Sequence, residues 1–200
     1  MISLFTTKIV YIDNCNLNLE NLERKCRNHM ATEPSSTRSN VGGYQGHYFD
    51  DNELYTLIER SIPSIQDKPI KKFKYGAWVN VNGFGSFNER HAHDPHGGTF
   101  LSGVFYLESD AETGIIFSDP RPAADVLVPR KKTKTNENSN LLSYISKQNR
   151  LIIFPSTLNH EVLPYHGILN RYSISYDILI TTRKEAGNFC LVNPKRWVKI

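Results

Sequence analysis

The chain has 200 residues, 39% of them apolar and 22% charged, with a formal net charge of +4. That is ordinary for a soluble globular fold. Its longest apolar runs, such as Leu151–Phe154 and Ile178–Ile180, fall far short of the roughly 20 residues that span a bilayer. The mild positive charge permits acidic partners without calling for nucleic acid. One basic cluster, Arg130, Lys131, Lys132 and Lys134, stands among Thr, Asn and Ser without aromatic neighbours and reads as a solvated loop. Three widely spaced cysteines, Cys15, Cys26 and Cys190, form no CxxC pair. Reduced thiols and a cytoplasmic setting are expected. Met1–Val10 has no positive n-region and no continuous apolar stretch, so no signal peptide is expected.

Residues 2–10 are rich in β-branched and apolar types and read as a first strand. Asn16–Met30 places Leu19, Leu22 and Cys26 at helical spacing, with Asp13 or Asn14 as the cap. Ala31–Asn40 reads as loop, followed by a bend at Gly42 and Gly43. Asp51–Ile62 carries Leu54, Leu57, Ile58 and Ile62 on one helical stripe. Asp50 or Asp51 caps it, and Pro63 marks its end. After Pro69 short β-like runs follow one another: Gly76–Val81, Thr99–Leu107, Gly114–Phe117, Arg150–Phe154, Tyr172–Thr181 and Phe189–Val192. Such runs with turn signals suggest a barrel or sandwich. Pro120–Asn149 is the longest irregular stretch, of the kind used for lids and binding loops. The expectation is one domain over 1–200. Its 1–70 part is a strand with helices, and its 71–200 part is a β-rich body interrupted by the loop at 120–149.

Seven histidines are present, three of them within Arg90-His91-Ala92-His93-Asp94-Pro95-His96. On a strand, residues i and i+2 face the same way, so His91 and His93 can aim two imidazoles at one point. Imidazole suits iron, zinc and copper. His160 follows the apolar run Leu151–Phe154 and a Pro-Ser turn, which puts it at the rim of a buried strand. Arg171 comes eleven residues later. Arg171, Ser173, Ser175 and Asp177 share one strand face, and Tyr172, Ile174, Tyr176 and Ile178 share the other. An Arg and a Ser side by side suit a carboxylate, which guanidinium binds through two parallel bonds.

These blocks resemble the non-haem Fe(II)/2-oxoglutarate oxygenases, whose pattern is HxD/E…H…RxS. The resemblance is closest to a bacterial and phage group with prolyl-hydroxylase-like features. It runs through Ser39–Gln45, Ala77–Val81, His91-Ala92-His93, Leu101–Leu107, Phe117–Arg121, Phe154–His160 and Arg171–Ser175. It implies a mainly β fold with N-terminal helical support, a double-stranded β-helix of the jelly-roll or cupin-like kind. It implies a dioxygenase that uses Fe(II), 2-oxoglutarate as cosubstrate and O2. The reaction would oxidise an unactivated C–H bond, usually by hydroxylation, while 2-oxoglutarate becomes succinate and CO2.

The general pattern has a carboxylate where this chain has His93. Two ligand sets therefore stay open: His91, His93 and His160, or a set in which Asp94 supplies the carboxylate. His96 is a ligand, an outer contact or a substrate contact. The resemblance pairs Arg171 and Ser173 with the far carboxylate of 2-oxoglutarate. Tyr106 reads either as a cosubstrate contact or as core, and Asn80 either as pocket wall or as a strand-end turn residue. Ser102 and Gly103 are expected to allow close packing near the metal, and Asp119-Pro120-Arg121 reads as a turn. His29, His47 and His166 are expected at the surface or in satisfied structural positions, and Trp197 as an anchor for the tail. The substrate is a small molecule, an amino acid or a peptide, with neither membrane nor nucleic acid as the primary partner and a homodimer allowed. A cupin-like metal enzyme or binding module that does not use 2-oxoglutarate is the rival reading.

Overall fold

The computed structural model describes residues 6–65, 73–93, 99–109, 113–121 and 139–180. The elements run β1 (Val10–Asp13), α1 (Leu19–Thr32), β2 (Asn40–Val41), β3 (Tyr44–Gln45), α2 (Asn52–Ile65), β4 (Phe73–Asn82), β5 (Phe87–His91), β6 (Thr99–Glu108), β7 (Ile115–Ser118), β8 (Leu141–Tyr144), β9 (Arg150–Pro155), β10 (His160–Val162) and β11 (Arg171–Ile180). They form a six-stranded sheet in the order β1-β9-β6-β11-β4-β3 and a five-stranded sheet in the order β2-β5-β10-β7-β8. From β4 onward the chain crosses back and forth between the two, with β7 and β8 as a consecutive pair in one sheet. β4, β6, β9 and β11 lie in the larger sheet, and β5, β7, β8 and β10 in the smaller. The pairings are antiparallel. This interleaving is a jelly roll, the double-stranded β-helix expected from the sequence.

Strand parity builds the core. On β11, Tyr172, Ile174, Tyr176 and Ile178 are each no more than 1% exposed, and they pack with Val79, Val81, Phe105, Leu151 and Ile153. Leu22 and Cys26 of α1, and Leu54, Ile58, Ile62 and Ile65 of α2, close over the same cluster. Each such side chain contributes about 1.5–3 kcal/mol when fully buried. The two helices therefore cover one face of the larger sheet and leave its other face toward the smaller sheet. Gly103 is needed for close approach on the helix-covered side. A Cβ there would come within 2.2 Å of the Tyr176 hydroxyl, which donates to the Ile152 carbonyl. The tight packing expected of Gly103 is thus against Tyr176.

The N-terminal elements start and stop differently from their sequence reading. Thr6–Ile9 carries no strand, and the first strand is Val10–Asp13, paired with β9. Helix α1 begins at Leu19 rather than Asn16. Asn14 and Asn16 sit at φ 55° and 54°, left-handed geometry that a helix cannot include. The cap is Asn18, whose side chain accepts from the Asn21 N–H at 3.0 Å. Helix α2 keeps its Asp51 cap, which accepts from the Leu54 N–H at 2.9 Å, but it runs past Pro63 to Ile65. Burial of Ile62 and Ile65 against the sheet offsets the backbone bond that proline removes. Strands β2, β3, β5, β8 and β10 were not expected, and β8 lies inside the stretch read as a long loop. Phe189–Val192, Cys190, Trp197 and the Arg130–Lys134 cluster lie outside the described residues. Among the described residues no helix is long and apolar enough to cross a membrane.

Strand β1 is fastened to β9 by charge. Arg150 Nε and Nη2 donate to Asp13 at 2.6 and 3.0 Å, and Lys147 Nζ does so at 3.1 Å. The Arg150 bond chiefly holds the Asp13 carboxyl at about 2, below its ordinary 3.8. A depressed carboxyl stabilises the fold above its unfolded pKa, and that contribution drains as pH falls toward the folded one. Asp13→Asn should therefore cost about 1–2 kcal/mol at pH 7, after allowance for partial exposure. Thermal melts across pH check this. The gap from wild type should shrink between pH 3.8 and 2, and a gap that persists at pH 2 would contradict the ion-pair account.

Candidate metal centre

Two antiparallel neighbours bring the first histidines together. His91 closes β5, His160 opens β10, and the two are Cα partners in the smaller sheet. His93 lies two residues beyond the end of β5, so strand parity does not aim it. Its backbone N–H instead donates to the Ser156 carbonyl at 2.9 Å. Ser156 belongs to the turn after β9 that delivers His160, so one turn fixes both histidines. Ligand atoms of His91, His93 and His160 all lie within 4.8 Å of one another. Their ring centroids are 4.3 Å (His91–His160), 5.1 Å (His93–His160) and 5.4 Å (His91–His93) apart.

Each ring is oriented through Nδ1. His91 Nδ1 is 2.7 Å from the Glu89 carbonyl, and His160 Nδ1 is 2.9 Å from the Leu158 carbonyl. His93 Nδ1 is 2.5 Å from Asp177 Oδ1. Carbonyl and carboxylate oxygens only accept, so Nδ1 carries the proton in each ring and the Nε2 lone pair remains as donor. That is the arrangement of metal-ligating histidines, whose other nitrogen is held by an outer acceptor. Burial, then the neighbouring His91, pushes His160 down to about 3. Burial also lowers His91 from its ordinary 6.5. The donor set fits a divalent transition metal: three imidazoles held at Nδ1 and turned the right way, with nitrogen donors that suit iron.

Behind the histidines opens a cavity of about 820 Å³ between the sheets. Its wall on the larger sheet follows the register. Asn80, Ser173 and Tyr106 stand in one row across β4, β11 and β6, and Gln45 extends that row on β3. Asn80 Nδ2 donates to Ser175 Oγ at 2.9 Å. Tyr106 is 2% exposed and belongs to the inner apolar cluster while also lining the cavity. Arg171 faces Asn82 in the next row and is 2% exposed. Its Nη2 donates to Asn82 Oδ1 at 3.0 Å, its Nη1 to the Thr113 carbonyl at 3.2 Å, and its guanidinium lies 5.4 Å from the Tyr165 ring centroid. Among the described residues its Nε has no partner and no carboxylate pairs with this cation. Burial lowers its pKa. A buried guanidinium on the cavity wall, with no carboxylate partner among the described residues, fits a carboxylate-bearing ligand.

Of the residues singled out in the sequence, His91, His93, His160, Arg171, Ser173, Tyr106 and Asn80 share this cavity. Asp94 and His96 lie outside the described residues. His47 is exposed at the cavity rim, and His166 is exposed against Phe84. His29 packs edge-on to Phe49 and keeps a buried Nε2 without a partner, so it is not fully satisfied. Sequence reading missed Asn82 and Tyr165 around Arg171; it placed Ser102 near the metal and Asp177 on the polar face without foreseeing their contact with His93. The strand alternation did carry a signal for Asp177, since it ends the polar face that begins at Arg171. Tyr165 sits in a loop and left no such sign.

The burial of His160 makes a direct prediction. In metal-free protein its ring should stay neutral from pH 8 to 5, because the folded state holds it near 3. The stability tied to that neutral ring is complete above the unfolded pKa of about 6.5 and drains as pH falls below it. The His160 Cε1–H proton resonance should therefore not move over that range. A titration with a midpoint near 6.5 would contradict the desolvated geometry.

A family model described as "Putative 2OG-Fe(II) oxygenase" matches residues 76–177. No curated protein matches the chain. Among solved structures the chain is similar to a prolyl-4-hydroxylase from Pseudomonas putida, at 16% identity over 88% of this chain and 95% of that one, with a TM-score of 0.60. It is similar to a prolyl hydroxylase from Trichoplax adhaerens in complex with a hypoxia inducible factor oxygen degradation domain peptide fragment, at 16% identity, 88% and 84% coverage, and a TM-score of 0.60. It is also similar to the epimerase SnoN in complex with Fe3+, alpha ketoglutarate and nogalamycin RO, at 12% identity, 96% and 88% coverage, and a TM-score of 0.63. At these identities the structural likeness shows the double-stranded β-helix. The family match spans more than half of the chain, from Gly76 through the three histidines and Arg171 to Asp177, and the chain belongs to the 2OG-Fe(II) oxygenase family, enzymes that use Fe(II), 2-oxoglutarate and O2.

Proposed function

We propose that the protein oxidises an unactivated C–H bond of a small-molecule, amino-acid or peptide substrate, most simply by hydroxylation. His91, His93 and His160 would hold Fe(II), and Arg171 with Ser173 would hold the far carboxylate of 2-oxoglutarate. The observation that carries this reading is the buried Arg171, which has no carboxylate partner among the described residues and stands on the wall of the cavity that also contains the histidine cluster. One oxygen atom of O2 enters succinate as 2-oxoglutarate loses CO2, and the other enters the substrate as hydroxyl, so the atoms balance. Bound Fe(II) supplies the site at which O2 is reduced, chemistry that no side chain of the protein provides.

The chain's own residues do the positioning. Asn82 and the Thr113 carbonyl fix two arms of the Arg171 guanidinium, and Tyr165 lies along it. The fork is thereby preorganised and little rotamer freedom is lost on binding. Tyr106, Ser173 and Asn80 line the route from Arg171 toward the histidines. Val104, Phe154 and Ile115 on the cavity wall exclude water from the reacting end, which strengthens every charge interaction there. About 820 Å³ lies in the upper part of the usual range for small-ligand sites and leaves room for a cosubstrate and a substrate group together. Exposed Arg38, His47 and Tyr48 line the cavity, and Trp78 lines it beside His93; these would meet the substrate. The peptide carried by the Trichoplax adhaerens neighbour supports keeping peptides among the candidates.

Anaerobic titration of 2-oxoglutarate into Fe(II)-loaded protein tests this. A weak visible band should appear in wild type and be lost in His160→Ala. Arg171→Ala should need roughly 100-fold more 2-oxoglutarate, because a buried charged pair loses one partner. An unchanged requirement would remove Arg171 from the site. No band in wild type with metal bound would sink the 2-oxoglutarate reading in favour of a cupin-like metal protein.

A further inference from the structure

The iron set of two histidines and one carboxylate carries a negative charge, and three neutral imidazoles carry none. A divalent cation among His91, His93 and His160 would therefore keep a local charge of +2, where a ligating carboxylate would leave +1. The fold places a carboxylate one hydrogen bond away. Asp177 Oδ1 lies 2.5 Å from His93 Nδ1. Ser102 Oγ donates to the same oxygen at 2.6 Å and lies 2.9 Å from Nδ1. Ser102 and Asp177 are opposite residues on β6 and β11. Ser102 is fully buried, and the His93 and Asp177 side chains are 12% and 23% exposed. Among the described residues no Lys or Arg pairs with Asp177, whose hydrogen-bonded ionisable partner is the His93 imidazole and whose charge also acts on His91.

We propose that Asp177 is the positioning residue of the metal centre and supplies, through His93, the negative charge that the three-histidine set lacks. This rests on the metal-site reading above. The carboxylate holds the proton on Nδ1, aims Nε2 into the centre and makes His93 a more basic donor. Ser102 holds the carboxylate in that pose. A histidine can then stand where the general pattern has Asp or Glu, because the charge has moved outward by one bond and is still present. The competing account is that Ser102 and Asp177 merely tie β6 to β11.

Co(II) affinity, measured anaerobically with Co(II) as the sole added metal, separates the two accounts. The variants are Asp177→Asn, Ser102→Ala, His93→Ala, the double variant His93→Ala/Asp177→Asn, and His160→Ala. Loss of an outer carboxylate on a ligating histidine costs roughly 10–100-fold in metal affinity. Asp177→Asn should fall in that range, Ser102→Ala should lose less, and the metal-free Asp177→Asn protein should melt with wild type. In the His93→Ala background Asp177→Asn should change affinity by less than about twofold, the ordinary limit of additivity for uncoupled sites. Wild-type affinity in Asp177→Asn would overturn the proposal, as would a lowered melt with affinity intact. A full loss that persists without His93 would also overturn it, since Asp177 would then act on the metal by another route. If His160→Ala binds Co(II) as wild type does, the three-histidine centre itself fails, and that result is distinct from a failure of Asp177 alone.

Discussion

The site depends on the parity of one strand. β11 lies between β6 and β4 in the larger sheet, and its side chains alternate between two environments. The even positions from Tyr172 to Ile178 bury against α1 and α2. The odd positions, Arg171, Ser173, Ser175 and Asp177, line the cavity. A slip of one residue would exchange the two sets. It would drive a guanidinium and a carboxylate into the helix-covered core and turn four apolar rings and chains into the pocket. The helices therefore serve the chemistry indirectly. By burying the even face they make the register of the odd face costly to lose.

That register sets the spacing of the two ends of the site. Arg171 begins β11 and Asp177 is six residues along it. At about 3.4 Å per residue, the cation and the carboxylate are anchored roughly 20 Å apart along the strand. Each reaches inward, the one to receive an anion and the other to hold His93. The smaller sheet contributes His91 and His160 as paired neighbours, and the Ser156 turn contributes the fixed position of His93. Neither sheet makes the centre alone. Desolvation lowers the pKa of His160 and His91 and so favours the neutral form in which imidazole binds metal. Packing three rings this closely would be unfavourable if they were charged.

Much of this was legible in the sequence because it follows from period-two alternation and from motif order. The polar face of β11, the apolar face behind it and the histidine pattern could all be read from residue order alone. The long strands β4, β6, β9 and β11 were foreseen because they bury β-branched and aromatic runs. β5 and β10 were missed because they are short, polar and anchored by their histidine neighbours rather than by apolar pattern. The α1 boundary was misread because Asn14 and Asn16 take left-handed geometry, which Asn permits without announcing. Period-two spacing with His91 was expected to aim His93. It is held instead by a backbone bond to a residue 63 positions away in the chain, a contact that no local pattern encodes. Asp177 was placed on the right face without a role, since its role depends on His93 reaching it across the fold.

The account's central claim is that His91, His93 and His160 together make one metal centre. Anomalous diffraction from anaerobically grown crystals loaded with Fe(II), collected on both sides of the iron edge, tests it most directly. The account predicts a single strong peak within coordination distance of Nε2 of all three histidines, with each Nδ1 still on its outer acceptor. A peak that excludes His93 and is coordinated by Asp94, or a metal elsewhere on the chain, would contradict it.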